Sequence, residues 1–289
     1  MNYRNSRRTF LGTAAGIAGL SALDVRPAAA VIEPEPWGIK LGVATYSLRS
    51  FDRAKAIEMI KALQIQWVSI KDVHLSQTVP MAEVEAGARE FTNAGLKIMS
   101  GGNVDMKETT VDGLRKHFEY AKHAGMPMMV CAPLQENVRM VEQLVKEYNI
   151  KCAIHNHGPE DKQFPTPQSV LKAVHGLDPR IGLCMDVGHS ARAGADVVKS
   201  ISEAGERLLD MHVKDLSTFT LPADKKPGDV QVDVGAGIMP FPQIFKQLKK
   251  MKYTGCVNLE YEINGKDPLP GMQRSYAYLR GVLAGLAAA

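Results

Sequence analysis

The chain has 289 residues, 45% hydrophobic and 23% charged, an ordinary balance for a soluble globular protein and enough for one large core. Aromatic residues make up only 6%, which argues against a stacking platform for single-stranded nucleic acid, and no apolar run reaches the roughly 18 residues of a transmembrane helix. The formal charge of +4 is concentrated at the start: Arg4, Arg7, Arg8 and Arg26 face Asp24 alone, the rest holds 31 basic and 30 acidic residues, and no polyanion partner is implied.

Residues 6–11 read Ser6-Arg7-Arg8-Thr9-Phe10-Leu11, which resembles the twin-arginine export motif. A weakly apolar stretch follows from Gly12 to Leu23, then the small-residue run Ala28-Ala29-Ala30, a cleavage pattern. Residues 1–30 therefore read as a signal peptide, residues 31–289 as the mature domain, and the location as periplasmic or otherwise exported. Cys131, Cys152, Cys184 and Cys256 form no C-x-x-C pair and all fall in predicted strands, so they read as buried free thiols.

From Ile39 onward short apolar runs alternate with helical patterns. The predicted strands are Ile39–Thr45, Trp67–Lys71, Leu96–Ser100, Met128–Ala132, Lys151–His155, Ile181–Asp186, Leu208–Val213 and Cys256–Glu260. Between them, Ala54–Leu63 puts Ile57, Ile60 and Leu63 on one face, and Val138–Tyr148 does the same with Val141, Leu144, Val145 and Tyr148. Two helical segments end at Gly95 and Gly125, where a glycine C-cap stops a helix. Eight strand-then-helix repeats in about 250 residues predict a single α/β domain, a (β/α)8 TIM barrel. The one long connection, Lys214 to Met239, reads as a flap over the barrel mouth.

In such barrels the carboxyl ends of the strands build the site. Five of the eight histidines fall there: His74, His155, His157, His189 and His212. His117, His123 and His175 lie on or at the ends of helices and are expected to be solvated. Side chains alternate along a strand, so one inward residue from each of the last four strands yields His155, Asp186, His212 and Glu260. Two imidazoles and two carboxylates suit one divalent metal, with manganese the leading expectation and zinc, cobalt, iron or magnesium alternatives. Lys71 and Lys214 stand at two of the strand ends and could either pair with carboxylates or stabilise oxyanion charge.

The segments His155-Asn156-His157-Gly158, Asp186-Val187-Gly188-His189, His212-Val213-Lys214-Asp215 and Leu259-Glu260-Tyr261-Glu262, in this order on strands five to eight, resemble the xylose isomerase-like TIM-barrel superfamily, often called sugar phosphate isomerases/epimerases. The resemblance covers nearly all of residues 31–289. It implies metal ligands at His155, Asp186, His212 and Glu260, and substrate contact by His189. In one respect the chain departs from it. Ketose epimerases of that superfamily carry a glutamate on strand five that is both ligand and acid/base, where this chain has His155. The H-N-H pattern is closer to inosose dehydratase-like members and to exported relatives associated with 3-keto-glycoside breakdown.

The chemistry so implied is proton removal beside a sugar carbonyl, through a metal-stabilised enediolate. Glu260 is expected as base, His189 or His157 as second acid/base, Lys71 or Lys214 as oxyanion partner, and His74, His157, His189 and Lys214 as substrate contacts. Isomerisation or epimerisation of a non-phosphorylated keto-sugar is the leading expectation. Elimination or hydration on a 3-keto-glycoside or inosose-like sugar is the alternative, and a non-catalytic sugar-binding protein a third. The expected partner is a small carbohydrate, with no nucleic acid and no membrane span, and a homo-oligomer is compatible with the sequence.

Overall fold

Strand alternation has to put every second residue inside the barrel and the others under the helices. The computed structural model, which describes residues 34–289, shows this along each strand of the second half. The expected signal peptide, residues 1–30, lies outside the described residues. The barrel strands are β1 (Lys40–Ala44), β2 (Trp67–Ile70), β3 (Lys97–Met106), β4 (Met128–Pro133), β5 (Lys151–His155), β6 (Ile181–Asp186), β7 (Leu208–Val213) and β8 (Cys256–Leu259). Each is parallel to its neighbours, and β8 closes on β1 from Lys40↔Cys256 to Val43↔Leu259.

The helices α1 (Arg53–Ala62), α2 (Met81–Asn93), α3 (Val111–His123), α4 (Val138–Tyr148), α5 (Pro167–Ala173), α6 (Val187–Arg192), α7 (Val197–Ala204), α8 (Phe241–Met251) and α9 (Leu269–Ala288) wrap the barrel. They form where apolar residues recur every three or four positions: α4 buries Val138, Val141, Leu144 and Val145, and α8 buries Phe241, Ile244, Phe245 and Leu248. Gly95 and Gly125 follow α2 and α3 with φ of 84° and 65°, the left-handed stop expected of them. Among the described residues no helix is long and apolar enough to cross a membrane. All four cysteines are buried and free.

The outward faces of the strands and the helices make one large apolar core, while Met128, Val130, Ala153 and Cys184 form a small cluster of their own. Above it the interior turns polar. Asp210 on β7 accepts from Ser100 Oγ (3.0 Å) and Asn258 Nδ2 (2.8 Å), and burial pushes its pKa up to about 6.

Two features differ from the sequence expectation. Strand three does not stop at Ser100 but runs on to Met106. Gly101-Gly102 reads as a breaker, yet it is a bulge within the strand: the pairing with β4 shifts between Gly101 and Val104. Gly102 has φ 135°, and a Cβ there would collide with the carbonyl of Val130. The segment Lys214–Met239, expected as a flap over the mouth, contains a pinned hairpin. Asp215–Leu216 pairs antiparallel with Gln231–Val232, and the Asp215 carboxylate accepts the N–H groups of Leu216, Gly235, Gly237 and Met239.

Candidate active site and metal centre

The four expected ligands converge because each is an inward residue at a strand's carboxyl end. His155 and Asp186 are the last residues of β5 and β6, and His212 lies opposite Asp186 in the β6–β7 register. Glu260 follows β8, its N–H donated to the carbonyl of Val213 (3.1 Å). One ligand atom from each of the four lies within 4.8 Å of the others. His155 Nε2 is 3.0 Å from His212 Nδ1 and 3.8 Å from Asp186 Oδ2, and His212 Nδ1 is 3.4 Å from Glu260 Oε2.

Asp186 divides its two oxygens. Oδ1 caps α6 by accepting the N–H of His189 at 2.7 Å, while Oδ2 faces the cluster, buried and without a hydrogen bond. Asn156, the middle residue of H-N-H, fixes this strand end: Oδ1 accepts the Asp186 N–H (3.0 Å) and Nδ2 donates to Ser190 Oγ (3.1 Å).

Lys214 is buried at the centre. Its ammonium donates to Glu260 Oε2 and Glu262 Oε2, both at 2.8 Å, and stands 3.0 Å from Asp186 Oδ2. Gly188 leaves it room, since a Cβ there would lie 2.5 Å from Lys214 Cγ. Burial alone would strip the proton from Lys214, but the three carboxylates hold its pKa well above the ordinary value. Burial is the largest influence on Glu260 and Asp186 and opposes their ionisation, but Lys214 together with the neighbouring imidazoles, His212 beside Glu260 and His189 beside Asp186, outweighs it, so both titrate below the usual range.

Three carboxylates against one ammonium leave negative charge in excess. That excess, led by Glu260, raises the pKa of His212 in spite of burial. Burial, then the neighbouring imidazoles of His157 and His212, drives His155 well below its ordinary value. A cluster that draws a proton onto a buried imidazole would draw a dication more strongly. Asp186 Oδ2, ion-paired with Lys214 but without a hydrogen bond, and the set of two imidazole nitrogens and two carboxylates fit a divalent ion held by His155, Asp186, His212 and Glu260.

His189 borders this cluster, with Nε2 4.0 Å from Asp186 Oδ2. Burial lowers its pKa to about 4. Arg192 Nη2 donates to its Nδ1 at 3.0 Å, which assigns the proton of the neutral ring to Nε2. Arg192 is in turn gripped by both oxygens of Glu160, at 2.6 and 2.9 Å. His157 lies with its ring 4.2 Å from that of His155, between Asn103 Nδ2 (2.9 Å) and Asp161 Oδ2 (3.4 Å).

Lys71 stands apart from the ligand cluster. Its ammonium donates to the Asn103 carbonyl (3.1 Å), on the wall of a cavity of about 480 Å³. His74 is not available to substrate as expected: it is buried, with Nδ1 on Thr45 Oγ1 (3.0 Å) and Nε2 on the carbonyl of Phe51 (3.2 Å), so both nitrogens serve the fold. His117 also departs from expectation. It is buried rather than solvated, because Gln77 and Glu108 meet it from two other loops at 2.8 and 3.1 Å.

Glu262, Arg192, Gln231 and Asn103 were not expected at the site. Glu262 lies two residues beyond Glu260 and Arg192 three beyond His189, so strand and helix periodicity signal both. Gln231, which donates to Glu262 Oε2 at 2.8 Å, and Asn103, carried in by the bulge, have no such signal.

The chain is 30% identical over 141 residues to the rhizopine catabolism protein MocC of Rhizobium meliloti, a match over 45% of this chain and 42% of that protein. It is 26% identical over 153 residues to inosose dehydratase of Mesomycoplasma hyopneumoniae strain 7448, covering 48% of this chain and 50% of that protein. The match thus spans about half the length of these relatives or less. In fold it superposes on the IolI protein, solved with a zinc atom, with a TM-score of 0.68 and 15% identity over 84% of this chain and 98% of that one. The family profile of the xylose isomerase-like TIM barrel matches residues 60–282, and the chain belongs to that family.

Proposed function

We propose that the protein is a divalent-metal-dependent lyase acting on a non-phosphorylated keto-sugar or keto-polyol, removing a proton beside the carbonyl and expelling a β-hydroxyl as water. The observation that carries this reading is the convergence of His155, Asp186, His212 and Glu260 around one buried lysine, with a single carboxylate, Glu260, placed as base. A bound divalent ion polarises a carbonyl and acidifies the C–H beside it.

Glu260, kept ionised by Lys214 and His212, takes the proton from carbon. His189, neutral with its proton on Nε2, donates a hydrogen bond to the oxygen on which negative charge develops. The same Glu260 then passes its proton to the departing hydroxyl on that face: the C–H and C–O bonds break, a C=C bond forms and water leaves. One carboxylate suffices for such an elimination, whereas epimerisation needs a second base on the opposite face, and strand five offers His155 where epimerases carry glutamate. Inosose dehydratase, a relative by sequence, is named for a dehydration.

Isomerisation through the same first step is the second reading. It is favoured by His157, whose ring lies tilted against that of His155 at the edge of the cluster, where it would return the proton to the neighbouring carbon. Export through the twin-arginine route, proposed from residues 6–11, agrees with a sugar free of phosphate.

The test is solvent exchange. With manganese, cobalt or zinc in D₂O, NMR should show deuterium entering beside a carbonyl, with loss of water from inososes or 3-keto-glycosides, and Glu260→Gln should abolish both. Exchange with only isomerised product selects the second reading, and no exchange with any sugar on the panel overturns both.

A further inference from the structure

We propose that His155 and His212 belong to a second donor set with Cys184, one layer deeper in the barrel than Asp186 and Glu260, that binds thiophilic divalent ions such as cadmium or zinc. The proposal stands on the residues alone and holds whichever reaction the site performs.

Cys184 lies two residues before Asp186 on β6, so it too points into the barrel, and it sits opposite His155 in the β5–β6 register. Its Sγ and one nitrogen from each imidazole lie within 4.8 Å of one another. Zinc–sulfur and zinc–nitrogen bonds of about 2.3 and 2.1 Å require those atoms to draw closer together around the ion. The two ring nitrogens left over by the first cluster's contacts, His155 Nδ1 and His212 Nε2, are buried and have no hydrogen-bond partner. Among the described residues no other cysteine joins such a group.

The chemistry separates the two sets. Two nitrogens and two carboxylate oxygens accept manganese or magnesium as readily as zinc, whereas two nitrogens and a thiolate select softer ions. Binding breaks the S–H bond, forms an S–metal bond and releases the proton to solvent, so occupancy weakens as pH falls. Because both sets draw on His155 and His212, an ion in the lower set competes with one in the upper.

Cadmium is the probe. Added to the manganese-loaded protein, it should produce a thiolate-to-metal charge-transfer band in the near ultraviolet and release manganese, followed by electron paramagnetic resonance. Cys184→Ser should remove the band and raise the cadmium needed for release by about tenfold or more, while Cys152→Ser, which leaves the imidazoles untouched, should keep both. Should Cys184→Ser fail to fold, cadmium NMR of the unaltered protein decides, since a thiolate ligand moves the resonance well downfield of a purely nitrogen–oxygen set. A resonance in the nitrogen–oxygen range, a band that survives Cys184→Ser, or no cadmium binding overturns the proposal.

Discussion

The two halves of the barrel end differently. At the ends of strands β5 to β8 stand His155, Asp186 and His212, all buried, and the half-buried Glu260, in contact through charge. Strands β1 to β4 end in neutral or rim-facing groups bonded to one another or to backbone: Thr45 accepts the N–H of Lys71 (2.8 Å), and Lys71 donates to the Asn103 carbonyl. Two cavities of about 480 and 350 Å³ open beside this second side and share Asn103 and Asp105 as walls, the smaller reaching across to His157 and Asp161 after β5. In the proposed reaction the bond-breaking groups would occupy one half and the body of the ligand the other, with His157 and Asn103 touching at the seam.

The sharpest way to break this division is to disable the charged half. Glu260→Gln should lower turnover by about 10³-fold, beyond the effect of a lost ligand alone, because the base disappears with it; steady-state kinetics on the substrate found by solvent exchange would check this. Lys214→Met should come next. It strands Asp186, Glu260 and Glu262 together without their cation, and chemical denaturation of the metal-free protein should show a loss of about 3 kcal/mol. Divalent metal should restore more stability to this variant than to the wild type.

Arg192→Met tests the edge of that half. The guanidinium can donate only to an unprotonated Nδ1 on His189, so its loss should move the acid limb of the kcat profile upward from near the folded value of about 4, toward that of an ordinary imidazole. Turnover at neutral pH should fall about tenfold. Asn103→Ala addresses the roomy half: KM should rise about fivefold with kcat little changed, the mark of lost uniform binding.

The smallest effect is on stability. Burial opposes ionisation of Glu108, but Lys116 and His117 pull its folded pKa to about 2, from 4.5. Its contribution is therefore complete above pH 4.5 and lost as pH falls through 2. Glu108 is partly exposed, so screening leaves about 1 kcal/mol, and Glu108→Gln should flatten the acid limb of the unfolding free energy by that amount.

How far each half could be read in the sequence follows the same division. The ligand-bearing strands were legible because their residues sit two apart on short apolar runs, and alternation leaves one inward choice at each end. Strand three was misjudged because Gly101-Gly102 looks the same as a stop or as a bulge, and only contact with β4 distinguishes them. His117 was misplaced for a similar reason: a helix position shows which face a ring is on, but Gln77 and Glu108 are brought to it by separate loops. Glu262 and Arg192 were within reach of periodicity. Gln231 was not, because its arrival depends on the hairpin that Asp215 pins from within.

The divided carboxylate of Asp186 carries a last consequence. One oxygen ends a helix and the other faces the cluster, so anything that holds Oδ2 also steadies Oδ1 and the amide of His189 that donates to it. Occupancy should therefore slow hydrogen exchange at that amide more than at amides farther along α6. A single backbone proton would then report the state of the whole cluster, without substrate and without turnover.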